Sequence, residues 1–242
     1  MYGWRARIGS ISATPTDIFP FEFYKIIPEG ISLMSTSLSI PQVKEKDLKQ
    51  GRDEIEVVAM GLAREGADVI ILGGAPMLYT QGAGADLVLS NQISKVTGIP
   101  AVSNQTAMMD ALKTLGCNKI LIASPFVQET NKKLKTFLEG SGLKIGGMSG
   151  FGKIKNADIN RITQQQAYRF VKAAFKKHQN KRINGIVIPC ANWPTSLLVS
   201  KWEADLGVPV VTSNLAKIWA VLKTLEIRDV ITGFGSLLEG KR

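Results

Sequence analysis

The stretch TGIPAVSNQTAMMDALKTL, residues 97–115, is echoed by LGVPVVTSNLAKIWAVLKTL, residues 206–225. Each copy runs Gly, an apolar residue, Pro, a short apolar strand, a Ser/Thr/Asn turn, and a helix ending in Leu-Lys-Thr-Leu. Small polar residues at such a turn accept hydrogen bonds from the free N–H groups of the helix that follows. What precedes each copy also matches. VIILGGAP (69–76) and GIVIPCAN (185–192) are buried strands that lead through a helical stretch into their copies. Continuous Val/Ile/Leu runs of this kind mark strands covered on both faces, hence parallel strands packed between helices. A repeat on this scale predicts two similar α/β halves.

The pattern extends along the chain. Strands are expected at 7–12, 31–40, 68–74, 100–104, 119–124, 143–150, 185–190 and 209–214. Helices are expected at about 44–65, 83–97, 106–116, 128–141, 158–178, 195–206 and 214–226. The predicted fold class is α/β, with two pseudo-symmetric, flavodoxin-like parallel-sheet lobes. One lobe comprises 1–105 plus the C-terminal segment 215–242, and the other comprises 106–214. Ligands of open parallel sheets bind beyond the carboxyl ends of the strands. The repeat sets Gly74 and Cys190 at equivalent strand ends, so the two loops are expected to flank one cleft.

Composition narrows the chemistry. Two cysteines and a single histidine among 242 residues leave no disulfide framework. The histidine, His178, sits in the charged run KKHQNK and reads as a solvated surface residue. Ser-His-Asp and Cys-His catalysis and most zinc chemistry are thereby removed, and no metal site is expected. The net charge of +10 is compatible with nucleic acid, an anionic membrane or a small anionic substrate. Its lysines and arginines are scattered and lack any accompanying nucleic-acid motif, so a solvated surface is expected, not nucleic-acid binding. No apolar run is long enough to span a membrane. The opening MYGWRARIGSIS lacks a signal-peptide core, which predicts a cytoplasmic protein.

PCANWPT, residues 189–195, carries the clearest chemistry. A thiol at a strand end near a helix start feels aligned peptide N–H groups, which favour thiolate and lower its pKa. Asn192 is a candidate cap for that helix and Pro194 suits its first turn. Such a cysteine serves as acid, base or nucleophile, and a free cysteine also serves as a small buried hydrophobe. Cys117, at the opposite end of the sheet, reads as structural. The glycine-rich GGAPMLYTQGAGAD (73–86) lacks the Gly-Lys-Ser/Thr of a phosphate loop and the third glycine of a dinucleotide fingerprint. Its backbone N–H groups still suit an anion. Ser12, Thr14 and Thr16 end the first strand, and Ser124 and Phe126 end another.

With these motifs in order, the chain resembles the aspartate/glutamate racemase superfamily, in the branch that holds maleate cis-trans isomerase and arylmalonate decarboxylase. The resemblance runs through RIGSIS, PEGISL, GGAP, GIPAVSNQTAMMDALKTLG, KILIASPF, GIVIPCAN and LGVPVV, nearly the whole chain. The isomerases and racemases have a cysteine at each of two pseudo-symmetric strand ends, whereas the decarboxylase keeps the second and has glycine at the first. Cys190 and Gly74 fit the decarboxylase arrangement. The departures are Gly74-Ala75-Pro76 where the decarboxylase has Gly-Thr-Ser, Phe126 where tyrosine is common, and Pro15 where the isomerases have asparagine.

The resemblance implies cofactor-independent chemistry next to a carboxylate, with Cys190 catalytic. Ser12, Thr14, Gly74, Ala75, Pro76, Ser124, Phe126, Ala191 and Asn192 are the implied substrate-binding positions. A single thiol disfavours a two-base racemase. The leading expectation is loss of CO2 from a substituted malonate, with the enediolate protonated by Cys190. Cis-trans isomerisation or racemisation of a small carboxylate is the alternative enzyme reading. A non-catalytic small-carboxylate binder is the alternative outside catalysis. The implied partner is a small carboxylate or dicarboxylate, neither nucleic acid nor membrane, with homo-oligomerisation left open.

Overall fold

The structure is a computed structural model that describes residues 2–38, 45–73, 82 and 84–240, with backbone alone for 45–53. Two four-stranded sheets carry the fold. The first contains β1 (Ala6–Ser12), β2 (Ile31–Ser37), β3 (Val69–Leu72) and β4 (Ala101–Ser103), in the order β2-β1-β3-β4. The second contains β5 (Lys119–Phe126), β6 (Lys144–Lys153), β7 (Gly185–Ile188) and β8 (Val210–Thr212), in the order β6-β5-β7-β8. All strand pairs are parallel, and the registers match between halves: Ile70 opposes Ala101 as Ile186 opposes Val210. The α/β two-lobe reading of the sequence is borne out. β3 and β7, the continuous apolar runs, are buried along their whole length because both faces are covered.

The helices are α1 (Ile18–Ile26), α2 (Glu45–Arg64), α3 (Ala85–Thr97), α4 (Asn104–Thr114), α5 (Gln128–Gly140), α6 (Asn156–Asn160), α7 (Gln164–His178), α8 (Val199–Leu206), α9 (Ser213–Thr224) and α10 (Ser236–Glu239). The repeat proves to be α4 and α9, each entered from a strand. Ser103 caps α4 by accepting from the Thr106 N–H, and Thr212 caps α9 by accepting from the Leu215 N–H. The two helices pack on each other, and the Ser213 hydroxyl donates to Asn104 Oδ1 at 2.7 Å. α9 is buried from Ser213 through Leu222 and also packs on α1, β3, β4 and β8. One apolar core therefore runs through both sheets.

Three departures from the sequence reading stand out. α1 lies in IFPFEFYKI, a stretch without helical periodicity; Pro20 is tolerated because it falls in the first turn, where its N–H has no intrahelical partner. α7 replaces part of a single expected helix at 158–178, with the short α6 before it. His178 is not a solvated residue. Its ring lies against Gly147, where even a Cβ would sit 2.4 Å from His178 Cγ, and its buried Nε2 has no hydrogen-bond partner among the described residues. Among the described residues, no helix is long and apolar enough to cross a membrane.

Candidate active site

β7 stops at Ile188 because Pro189 has no N–H to continue the ladder. Cys190 follows, 7% exposed and not disulfide-bonded. The N–H groups of Asn192 and Trp193 are aimed at its sulfur. These donors favour thiolate, as expected, but burial outweighs them and pushes the thiol up to about 12. The direction is opposite to the expected lowering: burial favours the neutral S–H over the thiolate. The expected capping is corrected too. A 3-10 turn at Ser196–Leu198 separates the loop from α8, so neither Asn192 nor Pro194 opens that helix. Asn192 instead accepts, through its carbonyl, from the Asn160 side-chain amide at 2.8 Å in the amide orientation that satisfies its neighbours.

A buried ionic cluster stands against this loop. Glu22, on α1 and 1% exposed, accepts from the Ser196 N–H (2.9 Å), the Ser196 hydroxyl (2.5 Å) and the Asn214 amide (2.7 Å). The Asn214 amide also donates to the Ala191 carbonyl at 3.0 Å. The Thr212 and Ser196 hydroxyls lie 3.2 Å apart. Lys217, one turn further along α9, is 3% exposed, with Nζ 3.5 Å from the centre of the Phe19 ring. Burial lowers it to about 7, against the opposing pull of Glu22 and Cys190. Burial also raises the Glu22 pKa, although its hydrogen bonds and Lys217 oppose the shift.

Sequence reading missed Glu22, Ser196, Asn214 and Lys217. The available signal was a charged residue inside an apolar run: Glu22 within FPFEFY and Lys217 within LAKIWAVL. Buried charges require partners, so such a residue points to a polar cluster.

The expected binding residues divide into groups. Cys190, Ala191 and Asn192 form one loop, and Asn214 fastens it to α9. Thr14, at the end of β1, accepts from the Asn156 amide at 3.2 Å. Because Asn160 of the same helix holds Asn192, α6 links the Thr14 and Asn192 loops. Ser12 directs its hydroxyl at the carbonyls of Thr14 and Thr36, 2.9 and 3.1 Å away. Ser124 is fully buried; its hydroxyl donates to Asn131 Oδ1 at 2.5 Å and accepts from the Phe126 N–H. Phe126 is half-buried at the end of β5. Gly74, Ala75 and Pro76 lie outside the described residues. Gly73, just before them, is held so close to β1 that a Cβ would sit 2.9 Å from the Ile11 carbonyl oxygen.

The chain is 23% identical to arylmalonate decarboxylase of Bordetella bronchiseptica over 216 residues, 89% of each chain. It is 22% identical to maleate isomerase of Geobacillus stearothermophilus over 223 residues, 90% of this chain and 88% of that one. Among solved structures, a cysteine-to-serine variant of Nocardia farcinica maleate cis-trans isomerase, with a covalently bound succinylcysteine intermediate, superposes with a TM-score of 0.87 at 20% identity, covering 97% of this chain and 98% of that one. The family model described as arylmalonate decarboxylase matches residues 8–238, and on that match the chain belongs to the arylmalonate decarboxylase family.

Proposed function

We propose that the chain is a cofactor-independent decarboxylase of a substituted malonate-type dicarboxylate. Loss of CO2 leaves an enediolate, and Cys190 donates its proton to the carbon. The S–H bond breaks, the C–H bond forms, and the sulfur keeps the electron pair. The observation that carries this reading is the burial of Cys190 as a neutral thiol pushed up to about 12. That state suits a proton donor better than a nucleophile, which acts as thiolate. The sequence supports it further by placing Gly74, not a second thiol, at the equivalent strand end. Backbone N–H groups and Thr14 are the proposed carboxylate contacts among the described loops. The carboxylate that leaves would sit in apolar surroundings, which disfavour its charge.

A second reading draws on the Nocardia farcinica relative, whose cysteine forms a covalent succinyl adduct. Cys190 would then add to a double bond and the substrate would isomerise about the resulting single bond. One panel separates the two. The purified protein is offered alkyl- and aryl-malonates, with CO2 release followed, and maleate, with fumarate formation followed. CO2 release that is lost in Cys190→Ser, with one solvent deuterium in the product from D2O, is the expected result. Fumarate formation without CO2 release overturns the decarboxylase reading in favour of the isomerase. Ligand binding without turnover favours a non-catalytic carboxylate binder.

A further inference from the structure

Packing does not account for Lys217. Counted from their capping residues, Ser103 and Thr212, Met108 of α4 and Lys217 of α9 occupy the same place, five residues in. Met108 is 0% exposed and Lys217 is 3% exposed. A methionine fills that place in the first half. In the half that carries Cys190, an amine fills it, although burying an ammonium is costly. Nζ lies 3.5 Å from the Phe19 ring centre, and the amine interacts electrostatically with Glu22 and Cys190. Asn214, one turn earlier on α9, fastens this part of the helix to both Glu22 and the Ala191 carbonyl. The remaining charged groups of the surrounding elements turn away. Lys25 of α1 and Asp110 and Lys113 of α4 are exposed, and so is Glu239 of α10, which accepts from the Gly233 N–H. β3, β4 and β8 carry no charged residue.

We propose that Lys217 is a positioning residue for Cys190: a buried cation, steadied by Glu22, that holds the negative charge left on the sulfur once its proton has gone to the substrate carbon. This rests on the acid role of Cys190 given above. A bare thiolate in an apolar interior is strongly disfavoured, and a cation in the same weakly screening surroundings offsets that cost. Lys217 itself titrates at about 7, and a thiolate beside it draws the proton onto the amine. Solvent returns the proton to the sulfur after turnover.

The test is the pH profile of iodoacetamide alkylation, resolved at Cys190 and Cys117 by peptide mass spectrometry. It needs no substrate. In wild type the Cys190 rate rises with pH up to the titration of Lys217, near 7, and then levels, because thiolate with ammonium is a tautomer of thiol with amine. In Lys217→Met, the residue its twin position already holds, the levelling disappears. The neutral-pH rate then falls by about tenfold or more, the size of at least one pKa unit, while Cys117 is unchanged. Should that variant fail to fold, Glu22→Gln/Lys217→Met removes both charges and is expected to show the same profile. An unchanged Cys190 rate and profile in either folded variant overturns the proposal. Inactivity on the malonate panel with the alkylation pattern intact overturns the decarboxylase reading alone.

Discussion

A carboxylate sealed from water needs donors, and Glu22 has three: the Ser196 N–H, the Ser196 hydroxyl and the Asn214 amide. Removing it leaves those donors without their acceptor and takes away the charge that favours the Lys217 ammonium. Glu22→Ala is therefore expected to cost about 1–3 kcal/mol, the usual penalty for leaving buried donors unsatisfied, read from urea unfolding. Glu22→Gln, which keeps an acceptor oxygen, should cost less. The pH dependence of stability has a definite sign. Lys217 titrates at about 7 when folded against 10.5 in its ordinary state, so above pH 7 the unfolded chain binds more protons. Its contribution to stability therefore increases with pH from about 7. Glu22, raised by burial, acts oppositely: its contribution falls as pH rises above the ordinary carboxylate value of 4.5. The difference in unfolding free energy between wild type and Lys217→Met, followed from pH 7 to pH 9, should move in favour of wild type. A flat difference would mean that the amine is charged throughout. The sequence marks Glu22 and Lys217 as charges inside apolar runs but does not join them into one site, because Glu22 and Asn214 are 192 residues apart and only the fold brings them together.

At the scale of elements, strands were legible and one decisive helix was not. β3 and β7 announce themselves because a parallel strand covered on both faces is a continuous apolar run, VIIL and GIVI. α1 hides because its apolar residues surround the helix instead of forming a stripe. Phe19, Phe23 and Ile26 face inward while Phe21 and Tyr24 are 58% and 57% exposed. Glycine marks where elements approach most closely. Gly185 of β7 lies over Cys117, and a Cβ there would be 2.5 Å from the sulfur. Gly185→Ala is expected to destabilise by about 1–3 kcal/mol, the usual cost of overpacking, measured by chemical denaturation. Cys117 is 3% exposed, and burial pushes its thiol up to about 11.

The molecule as a whole has an approximate twofold relation that was visible in the paired Leu-Lys-Thr-Leu helix ends. Its imperfections could not be read the same way. The two halves share strand order, capping and helix packing, yet one half has Met108 where the other has Lys217. The difference matters only once α1, from the first half, delivers Glu22 to the second. At this scale α6 is the other asymmetric part, joining Thr14 to Asn192 through Asn156 and Asn160. Asn156→Ala is expected to leave unfolding stability within about 0.5 kcal/mol, because the bond is exposed. Malonate turnover should fall if the two loops must be held together, and unchanged turnover would separate that link from the reaction.

The burial of α9 has a consequence for biosynthesis. This helix wedges between the sheets and against α1, yet it is encoded after all eight strands. A nascent polypeptide that has emerged only as far as β8 has both lobes but only α4 of the α4–α9 pair that joins them. Glu22 also waits for its Asn214 partner until then. A late assembly step therefore belongs to the moment when residues 213–224 leave the ribosome, with the docking of α10 on α9 after it.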